Sequence, residues 1–383
     1  MKVLLLDAAF AAAPIYNYLI GAGHEVWVMG NRASDLLARR AGSRWIEQDY
    51  SDAQAVARHI EMLGIGAVVP GCTDVSIETC LKLHIGSEFR DSPETDAALG
   101  NKALFRALCE KLDLSSPRTV DHAAFPRAGK FICKPIDAFS GRGITVFDGQ
   151  DAAALDDALS LARAASPTGA AIIETFASGQ LYSCSSFIKN QMPSDTFFVR
   201  EGTSAHPFAV DTSYVSYDLP ASCIEKIGGD IEKLCRALNL KDGLLHVQFI
   251  LCDEMPMIVE VTRRCPGDLY PLLIEFSTGF EYAACYAAAF LGSEHGASVQ
   301  TRRHILRHTV TADQDSYFEG LMFTDDVPIT AFYPLACMGD ALKERQGNRA
   351  GILFCEESSE DLLTSLYNHF LNRESYKVAT QFK

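Results

Sequence analysis

The segment "GLLHVQFILCDEMPMIVEVTRRCPGD" places polar side chains that could bind a metal ion on one face of a predicted hairpin. Its halves "LLHVQFIL" and "MIVEVT" read as strands, and "CDEMP" reads as the turn between them. If the hairpin is symmetric about Glu254, Gln248 lies opposite Glu260 and His246 lies opposite Thr262. Opposed Cβ atoms lie about 4.5–5.5 Å apart, so oxygens of Gln248 and Glu260 could hold Mg²⁺ together with waters and phosphate oxygens.

The second face of this hairpin is predicted to pack on a core, because side chains alternate between the two faces of a strand. The residues on that face are all apolar: Val247, Phe249, Leu251, Met257, Val259 and Val261. If the second strand continues, Arg264 joins the polar face, where it could neutralise a phosphate. The competing interpretation of the polar face is a solvent-exposed sheet surface without a ligand.

A glycine-rich loop follows a lysine in "FICKPIDAFSGRGITVF", residues 131–147. Two short strands flank the core "SGRG", and the unshielded N–H groups of such a loop can converge on an anion. Lys134 and Arg142 would add positive charge, whereas the alternative is a solvated hairpin tip. Lys102 lies in the first turn of a predicted helix that ends near Leu112, a position that the helix dipole disfavours. It therefore either faces a ligand anion or is simply solvated.

The elements around these motifs indicate an α/β architecture. Strand and helix patterns alternate from "KVLLLD" to "GAVVPG", which predicts a parallel sheet covered by helices. The first turn, "DAAFAAAP", lacks the G-x-G-x-x-G fingerprint of dinucleotide-binding proteins. Asp74 stands at the end of the last of these strands, where it either lines a ligand cleft or caps the next helix.

The second half of the chain is predicted to contain a long loop and a smaller final unit. Residues 190–220 are polar and irregular, which predicts a functional loop or flap that contains Arg200 and His206. Near the C-terminus, "HILRHTV", "PITAFYPLAC" and "GILFCEE" read as strands before a final helix. We therefore predict three parts: residues 1–95, 96–292 and 293–383.

The composition and charge favour a soluble cytoplasmic protein. The chain has 383 residues, of which 48% are hydrophobic and 22% charged, and its formal net charge is −15. Such an acidic chain is not expected to bind nucleic acid over a broad surface. No apolar stretch approaches the roughly 18 residues of a membrane span. The twelve cysteines lack zinc-binding spacing and predict a reducing compartment.

In order and spacing, these motifs resemble the ATP-grasp superfamily. The resemblance covers roughly residues 1–292 and rests on "GNKALFR", "CKP", "SGRG", "IETF" and "VQF…VEVTRR". It implies an N-terminal parallel-sheet domain, a two-subdomain α+β fold that grips ATP, and a small C-terminal α+β unit. The segment "RRCPGDLYPLLIEFSTGFEY" is similar to the L-amino acid ligases of the superfamily. Gln248 at the first metal position resembles carbamoyl-phosphate synthetases.

The resemblance also implies a role for individual residues. Lys102 and Lys134 would bind phosphates, and Arg264 would stabilise the transferred phosphoryl group. The predicted lid is Ser140, Gly141, Arg142 and Gly143. The predicted adenine-binding hinge is Glu174, Thr175 and Phe176, with Gln180 nearby. The predicted metal ligands are Gln248, Glu260 and Thr262. The predicted contacts to the amino substrate are Arg200, His206 and Asp268.

Two positions depart from the superfamily pattern. Thr262 stands where many members have asparagine as a further metal ligand. Many members also have an acid for the ribose near Leu181, where this chain offers only Gln180 and Tyr182. These departures bear on the affinity of the site for metal and nucleotide.

The implied activity is ATP-dependent ligation of a carboxylate to an amine through an acyl phosphate, with release of ADP and phosphate. Its cofactor would be Mg²⁺, with Mn²⁺ as a substitute, and its partners would be small molecules, with a homodimer as the default assembly. One alternative is a carboxylase or carbamoyl-phosphate-type enzyme that uses bicarbonate. Another is a regulatory or scaffold protein that binds a nucleotide at a degenerate site.

Overall fold

The computed structural model describes residues 1–138, 141–324, 326–344 and 349–379, which form a mixed α/β fold. The first strands are β1 (Lys2–Leu6), β2 (Glu25–Gly30), β3 (Trp45–Glu47) and β4 (Ala67–Pro70). The first helices are α1 (Ala13–Gly21), α2 (Leu36–Ala41), α3 (Ala53–Leu63) and α4 (Asp74–Leu81). The four strands form a parallel sheet in the order β3-β2-β1-β4, as the alternating pattern predicted.

A small antiparallel sheet follows and carries the glycine-rich loop. Two helices precede it, α5 (Pro93–Gly100) and α6 (Lys102–Leu112). Its strands are β5 (Lys130–Pro135), β6 (Thr145–Asp148) and β7 (Ala171–Thr175), and the helix α7 (Ala152–Ala165) packs on them. The strand β5 is central in the order β6-β5-β7, and Lys134 near its end pairs with Ile172 of β7. Asn101 caps α6 by accepting hydrogen bonds from two N–H groups of its first turn, so Lys102 begins this helix as predicted.

The remaining strands belong mainly to one large sheet. They are β8 (Gln180–Lys189), β9 (Met192–Gly202), β10 (Thr212–Val215), β11 (Gly243–Cys252), β12 (Met255–Thr262), β13 (His304–Thr311), β14 (Ser316–Tyr317), β15 (Gly320–Phe323), β16 (Ile329–Pro334), β17 (Ala341–Leu342), β18 (Arg349–Glu357) and β19 (Tyr376–Ala379). The accompanying helices are α8 (Ala221–Leu238), α9 (Tyr270–Thr278), α10 (Tyr282–Leu291) and α11 (Glu360–Leu371). The large sheet has the order β12-β11-β8-β9-β10-β13-β18-β16.

One hydrophobic core joins the N-terminal sheet to the large sheet. It contains Ile15 and Leu19 of α1, Tyr282 and Tyr286 of α10, and Phe197 of β9, all of them buried. Burying large aromatic side chains contributes strongly to stability, so the two sheets are held in a fixed relation. This relation sets the distance between the N-terminal domain and the polar hairpin. Within the described residues, no helix is long and apolar enough to cross a membrane.

Residues 190–220 differ from the irregular loop that the sequence predicted. Residues 192–202 and 212–215 are strands β9 and β10, and only the segment between them is a loop. Glu201 is a buried polar residue and its neighbour Arg200 is partly buried, so the alternation that identifies a strand is obscured. The C-terminal residues also extend the large sheet through β13, β18 and β16, so this sheet crosses the domain boundary predicted at residue 292.

A β-bulge corrects the predicted faces of the hairpin formed by β11 and β12. Gln248 pairs with Glu260, but Phe249 pairs with Ile258, so Val259 is the extra residue. Ile258 is therefore buried beside Phe249 in the core, whereas the predicted core residues Met257 and Val259 are only partly buried. The predicted pairing of Gln248 with Glu260 is confirmed, because the bulge offsets a turn that is one residue tighter than expected.

The turn of this hairpin predicts a stabilising substitution. Asp253 and Glu254 both have positive φ, 44° and 68°, a conformation that glycine adopts without the strain imposed by a Cβ atom. We expect Glu254→Gly to raise the free energy of unfolding by about 0.5 kcal/mol. The neighbouring Met255→Gly, in an exposed strand position without positive φ, should lower it by roughly 0.5–1 kcal/mol. Thermal unfolding of both variants tests this, and equal effects of the two would contradict it.

Candidate active site

The paired strands β11 and β12 bring the predicted metal ligands face to face. Gln248 lies opposite Glu260 and His246 opposite Thr262. The Gln248 Nε2 group donates a hydrogen bond of 3.0 Å to Glu201 Oε2. Burial raises the pKa of Glu201, which is only 3% exposed, although hydrogen bonds from Ser183 and Gln248 oppose the shift. The sequence analysis missed Glu201 because its stretch was interpreted as part of a loop.

His246 supports this face from inside the sheet. Its Nδ1 atom lies 2.8 Å from Ser185 Oγ, and its ring contacts Tyr270 edge to face. Burial, together with the charge of Arg264, lowers the pKa of His246 to about 3. The imidazole is therefore neutral at physiological pH and adds no charge behind the predicted metal ligands.

Arg264 joins the hairpin to the N-terminal domain. Its Nε atom lies 2.6 Å from Asp74 Oδ1, and its backbone N–H donates to Thr262 Oγ1 at 3.2 Å. Burial alone would lower the pKa of Arg264, but Asp74 and Glu260 raise it above its ordinary value. Asp74 does not cap α4, because the cap is the Thr73 side chain, and the cleft role of Asp74 stays a prediction.

The predicted phosphate-binding lysines approach the glycine-rich loop from two elements. Lys102 Nζ donates to the carbonyl oxygen of Ala138 at 2.9 Å, at the start of this loop. Lys134 Nζ lies 2.6 Å from Glu174 Oε2, and the same carboxylate accepts from Arg106 Nε at 2.8 Å. Arg106 was missed by the sequence analysis, although it lies one helical turn after Lys102 on α6.

The predicted hinge residues have two different surroundings. The Glu174 side chain is fully buried in its ion pairs and does not line an open pocket. The N–H groups of Thr175 and Phe176 donate to the carbonyls of Arg118 and Lys130, at 2.9 and 3.1 Å. A contact of this segment with adenine would therefore use its carbonyl groups, and the hinge role stays a prediction.

The described part of the predicted lid consists of Gly141, Arg142 and Gly143, and Ser140 lies outside the described residues. Both glycines have positive φ, 73° and 70°. A Cβ atom on Gly141 would lie 2.9 Å from Phe208 Cβ and 3.3 Å from His206 Cε1, so the lid touches the loop between β9 and β10. Arg142 is exposed.

The predicted ribose corner contains a polar cluster. Gln180 Oε1 accepts from Arg200 Nη2 at 3.2 Å, and Gln180 Nε2 donates to the Glu201 carbonyl at 2.7 Å. Arg200 also donates to the hydroxyl of Tyr214 at 3.2 Å, and its guanidinium lies over the ring of Tyr367. These contacts place Arg200 beside Gln180, whereas His206 lies at the lid.

Asp268 is surrounded by arginines. The Arg349 guanidinium contacts its carboxylate, while Arg307 Nη1 donates to its carbonyl at 2.9 Å and lies 4.0 Å from its carboxylate. Arg307 is buried on β13 and also donates to Ser213 Oγ at 2.8 Å. The charges of Glu201 and Asp211 also act on Arg307, so the two arginines are offset by nearby carboxylates and the group carries no excess of positive charge. The sequence analysis did not identify Arg307 because its strand was assigned to the separate C-terminal unit.

Solved structures of ligases and carboxylases share this fold. The L-amino acid ligase from Bacillus licheniformis matches with a TM-score of 0.82 at 15% identity, covering 100% of this chain and 99% of that chain. Phosphoribosylglycinamide synthetase from Anaerococcus prevotii matches with a TM-score of 0.77 at 16% identity and 99% coverage of each chain. A third match is the biotin carboxylase domain of 2-oxoglutarate carboxylase from Hydrogenobacter thermophilus, solved as a dimer with MgADP, ADP and bicarbonate. Its TM-score is 0.75 at 12% identity, and the match covers 99% of this chain and 90% of that chain.

These comparisons define the class of fold. The chain has the ATP-grasp fold, as the sequence motifs predicted. No protein-family model matches the sequence, and no curated protein matches it. At such low identity, the likeness concerns the fold alone, and the chemistry must be argued from the side chains described above.

The buried Glu174 yields a prediction about stability. Replacing Glu174 with Gln leaves Lys134 and Arg106 without a counter-charge, which should cost about 3–5 kcal/mol of unfolding free energy at pH 7. Burial raises the pKa of Glu174, but the two cations outweigh it and hold the pKa below its ordinary 4.5. The stabilisation is therefore present above pH 4.5 and is lost as the pH falls through the lower folded value.

Denaturant unfolding of wild type and Glu174→Gln between pH 8 and about pH 3 measures this difference, because the range must extend below 4.5 toward the lower folded pKa. The gap between the two proteins should narrow at the acid end. The matched control is Glu110→Gln on the exposed side of α6, which should change stability by less than about 0.5 kcal/mol. If Glu174→Gln lowers the unfolding free energy at pH 7 by no more than Glu110→Gln does, the account is contradicted.

Proposed function

We propose that this protein is an ATP-dependent carboxylate–amine ligase that forms an amide or peptide bond through an acyl phosphate. The observation that carries the proposal is the opposed pair Gln248 and Glu260, with Arg264 beside it. Lys102 on α6 and Lys134 on β5 would supply the positive charge that a triphosphate requires, on either side of the glycine-rich loop's start. The ATP-grasp fold is consistent with this chemistry.

The donor set fits Mg²⁺. Gln248 and Glu260 present amide and carboxylate oxygens across neighbouring strands, and Thr262 adds a hydroxyl on the same face. A hard cation prefers such oxygen ligands and keeps further positions for water and phosphate. When bound, Mg²⁺ would neutralise phosphate charge and so favour attack by an anionic nucleophile. Mn²⁺ accepts similar ligands and would substitute.

The residues of the site would bind the triphosphate, exclude water from it and stabilise the transferred phosphoryl group. Lys102 and Lys134 would hold the phosphates, and the Gly141–Arg142–Gly143 segment would close over them and exclude water. The substrate carboxylate would attack the γ-phosphorus, forming an acyl phosphate and releasing ADP. Arg264, oriented by Asp74, would stabilise charge on the transferred phosphoryl group. An amine would then displace phosphate to give the amide.

The charges around the site suggest where the substrates bind. Arg349, which is partly exposed beside Asp268, is a candidate contact for a small carboxylate substrate. This modifies the expectation that Asp268 binds the amine, since its carboxylate is already paired. Arg200 and His206 remain candidates for contacts near the nucleotide and the lid. Both substrates are proposed to be small molecules.

A second candidate is a carboxylase or carbamoyl-phosphate-type reaction with bicarbonate. Gln248 at the first metal position favours it, since this glutamine resembles the pattern of carbamoyl-phosphate synthetases. Bicarbonate is itself a small carboxylate-like anion, so Arg349 is an equally good candidate contact for it. The two candidates are separated by the nucleophile that triggers ADP formation.

The proposed function is tested by measuring ADP release with Mg²⁺ and ATP, using amino acids singly and in pairs and bicarbonate in a separate arm. ADP that forms only with a carboxylate and amine pair supports the ligase. ADP that forms with bicarbonate alone supports the second candidate. AMP and pyrophosphate would contradict the acyl-phosphate mechanism, and bound ATP without turnover would favour a degenerate nucleotide-binding site.

Two lysines on α6 provide a matched pair of variants. Lys102→Met removes a predicted phosphate ligand at the start of the helix and should lower ADP formation by about 100-fold or more. Lys111→Met changes an exposed lysine at the other end of the same helix and should leave the rate within about twofold. Equal rates for the two variants would contradict the phosphate role of Lys102.

A further inference from the structure

Glu201 makes the one described side-chain hydrogen bond to Gln248. The two residues lie on different strands of the large sheet, β9 and β11, with β8 between them. Glu201 Oε2 accepts the hydrogen bond of 3.0 Å from Gln248 Nε2, and Glu201 is nearly fully buried. None of the superfamily motifs in the sequence includes Glu201. Its position is therefore explained neither by solvent exposure nor by the predicted site.

A glutamine amide has two ends with opposite properties. The oxygen can bind a cation, whereas the NH₂ group only donates hydrogen bonds and cannot serve as a metal ligand. An ionised carboxylate accepts hydrogen bonds but donates none. In the structure the Nε2 group of Gln248 is the donor of the 3.0 Å hydrogen bond, so the NH₂ end of the amide faces Glu201. The amide oxygen is then left to the other side of the group, where it is available to a cation.

We propose that Glu201 is a positioning residue that fixes the amide of Gln248 so that its oxygen is presented to the metal shared with Glu260. This inference rests on the proposed function, since it assumes a metal between Gln248 and Glu260. A glutamate at position 248 would not need such a partner, because both of its ends are oxygens. A glutamine at this position needs a partner that fixes which end of its amide faces the metal, and Glu201 is that partner.

The expected loss of metal affinity can be estimated from other proteins in which a metal ligand is oriented by a hydrogen-bond partner. Removing such a partner typically weakens metal affinity by roughly 10- to 100-fold. The positive charge of Arg307 acts on Glu201 and offsets part of the cost of burying its carboxylate. Both residues lie on strands of one sheet that each pair with β8, so the backbone holds them at a fixed separation. The hydrogen bond therefore does not depend on a movement of the backbone.

The first test is Glu201→Gln, which preserves the shape of the side chain. The amide at 201 can donate or accept, so it no longer selects one orientation of Gln248. Binding of Mn²⁺ to the protein with a non-hydrolysable ATP analogue, followed by electron paramagnetic resonance, should show about 10-fold weaker affinity. Binding of the analogue without metal should be unchanged. Asp195→Asn, near the start of the same strand, is the control and should leave metal affinity unchanged.

The second test reverses the hydrogen bond. Gln248→Glu alone places two carboxylates within about hydrogen-bond distance, so their repulsion should disturb metal binding. In the double variant Glu201→Gln/Gln248→Glu, the new amide donates to the new carboxylate, and both ends of the metal ligand are oxygens. Metal affinity should return to within about threefold of the wild type or exceed it. A residue that serves only to support the fold would give no such recovery.

Three outcomes overturn the inference. Unchanged metal affinity in Glu201→Gln would show that the amide is oriented without Glu201. Additive losses in the double variant would show that the two residues act independently. Failure of the wild type to bind Mn²⁺ with the analogue would instead reject the metal site of the proposed function, and this inference with it. Thermal unfolding of each variant identifies a loss caused by misfolding.

Discussion

The buried carboxylate of Glu174 is the interaction on which the arrangement of the site depends. It accepts from Lys134 on β5 and from Arg106 on α6, and all three side chains are almost completely buried. A buried carboxylate is stable only when its charge is compensated, so these elements cannot separate without a large cost in free energy. Arg106 also donates to the carbonyl of Val259 at 2.9 Å, and this contact reaches the hairpin. The position of the predicted phosphate lysine is therefore coupled to the position of the predicted metal ligands.

The bulge at Val259 makes this coupling possible. An extra residue disrupts the ladder of β11 and β12 locally, so its carbonyl is free to accept a hydrogen bond from outside the sheet. The same bulge keeps Glu260 opposite Gln248 although the turn is tighter than a symmetric hairpin would require. A second connection, from Arg264 to Asp74, fixes the hairpin relative to the N-terminal domain. The site is thus assembled from three parts of the fold, which are joined by ion pairs and by the hydrogen bond from Arg106 to Val259.

Much of this arrangement could be predicted from the sequence, because it depends on local pattern. The strand alternation around Gln248 and Glu260 gave their pairing, and the motifs around Lys102 and Lys134 identified the ATP-grasp fold. Glu201, Arg106 and Arg307 could not be found in this way. Their partners are distant in the chain, and polar residues at covered strand positions remove the alternation that marks a strand. The bulge could not be predicted either. An extra residue changes the face on which its neighbours lie, but it leaves no distinctive residue type in the sequence of the strand.

The central claim is that the triphosphate of ATP lies between the two lysines and the polar hairpin. A crystal structure with Mg²⁺ and a non-hydrolysable ATP analogue tests it most directly. The account predicts phosphate oxygens within hydrogen-bond distance of Lys102 and Lys134, and Mg²⁺ coordinated by oxygens of Gln248 and Glu260. A nucleotide bound elsewhere, or phosphates that contact neither lysine and leave no metal at the hairpin, would contradict it.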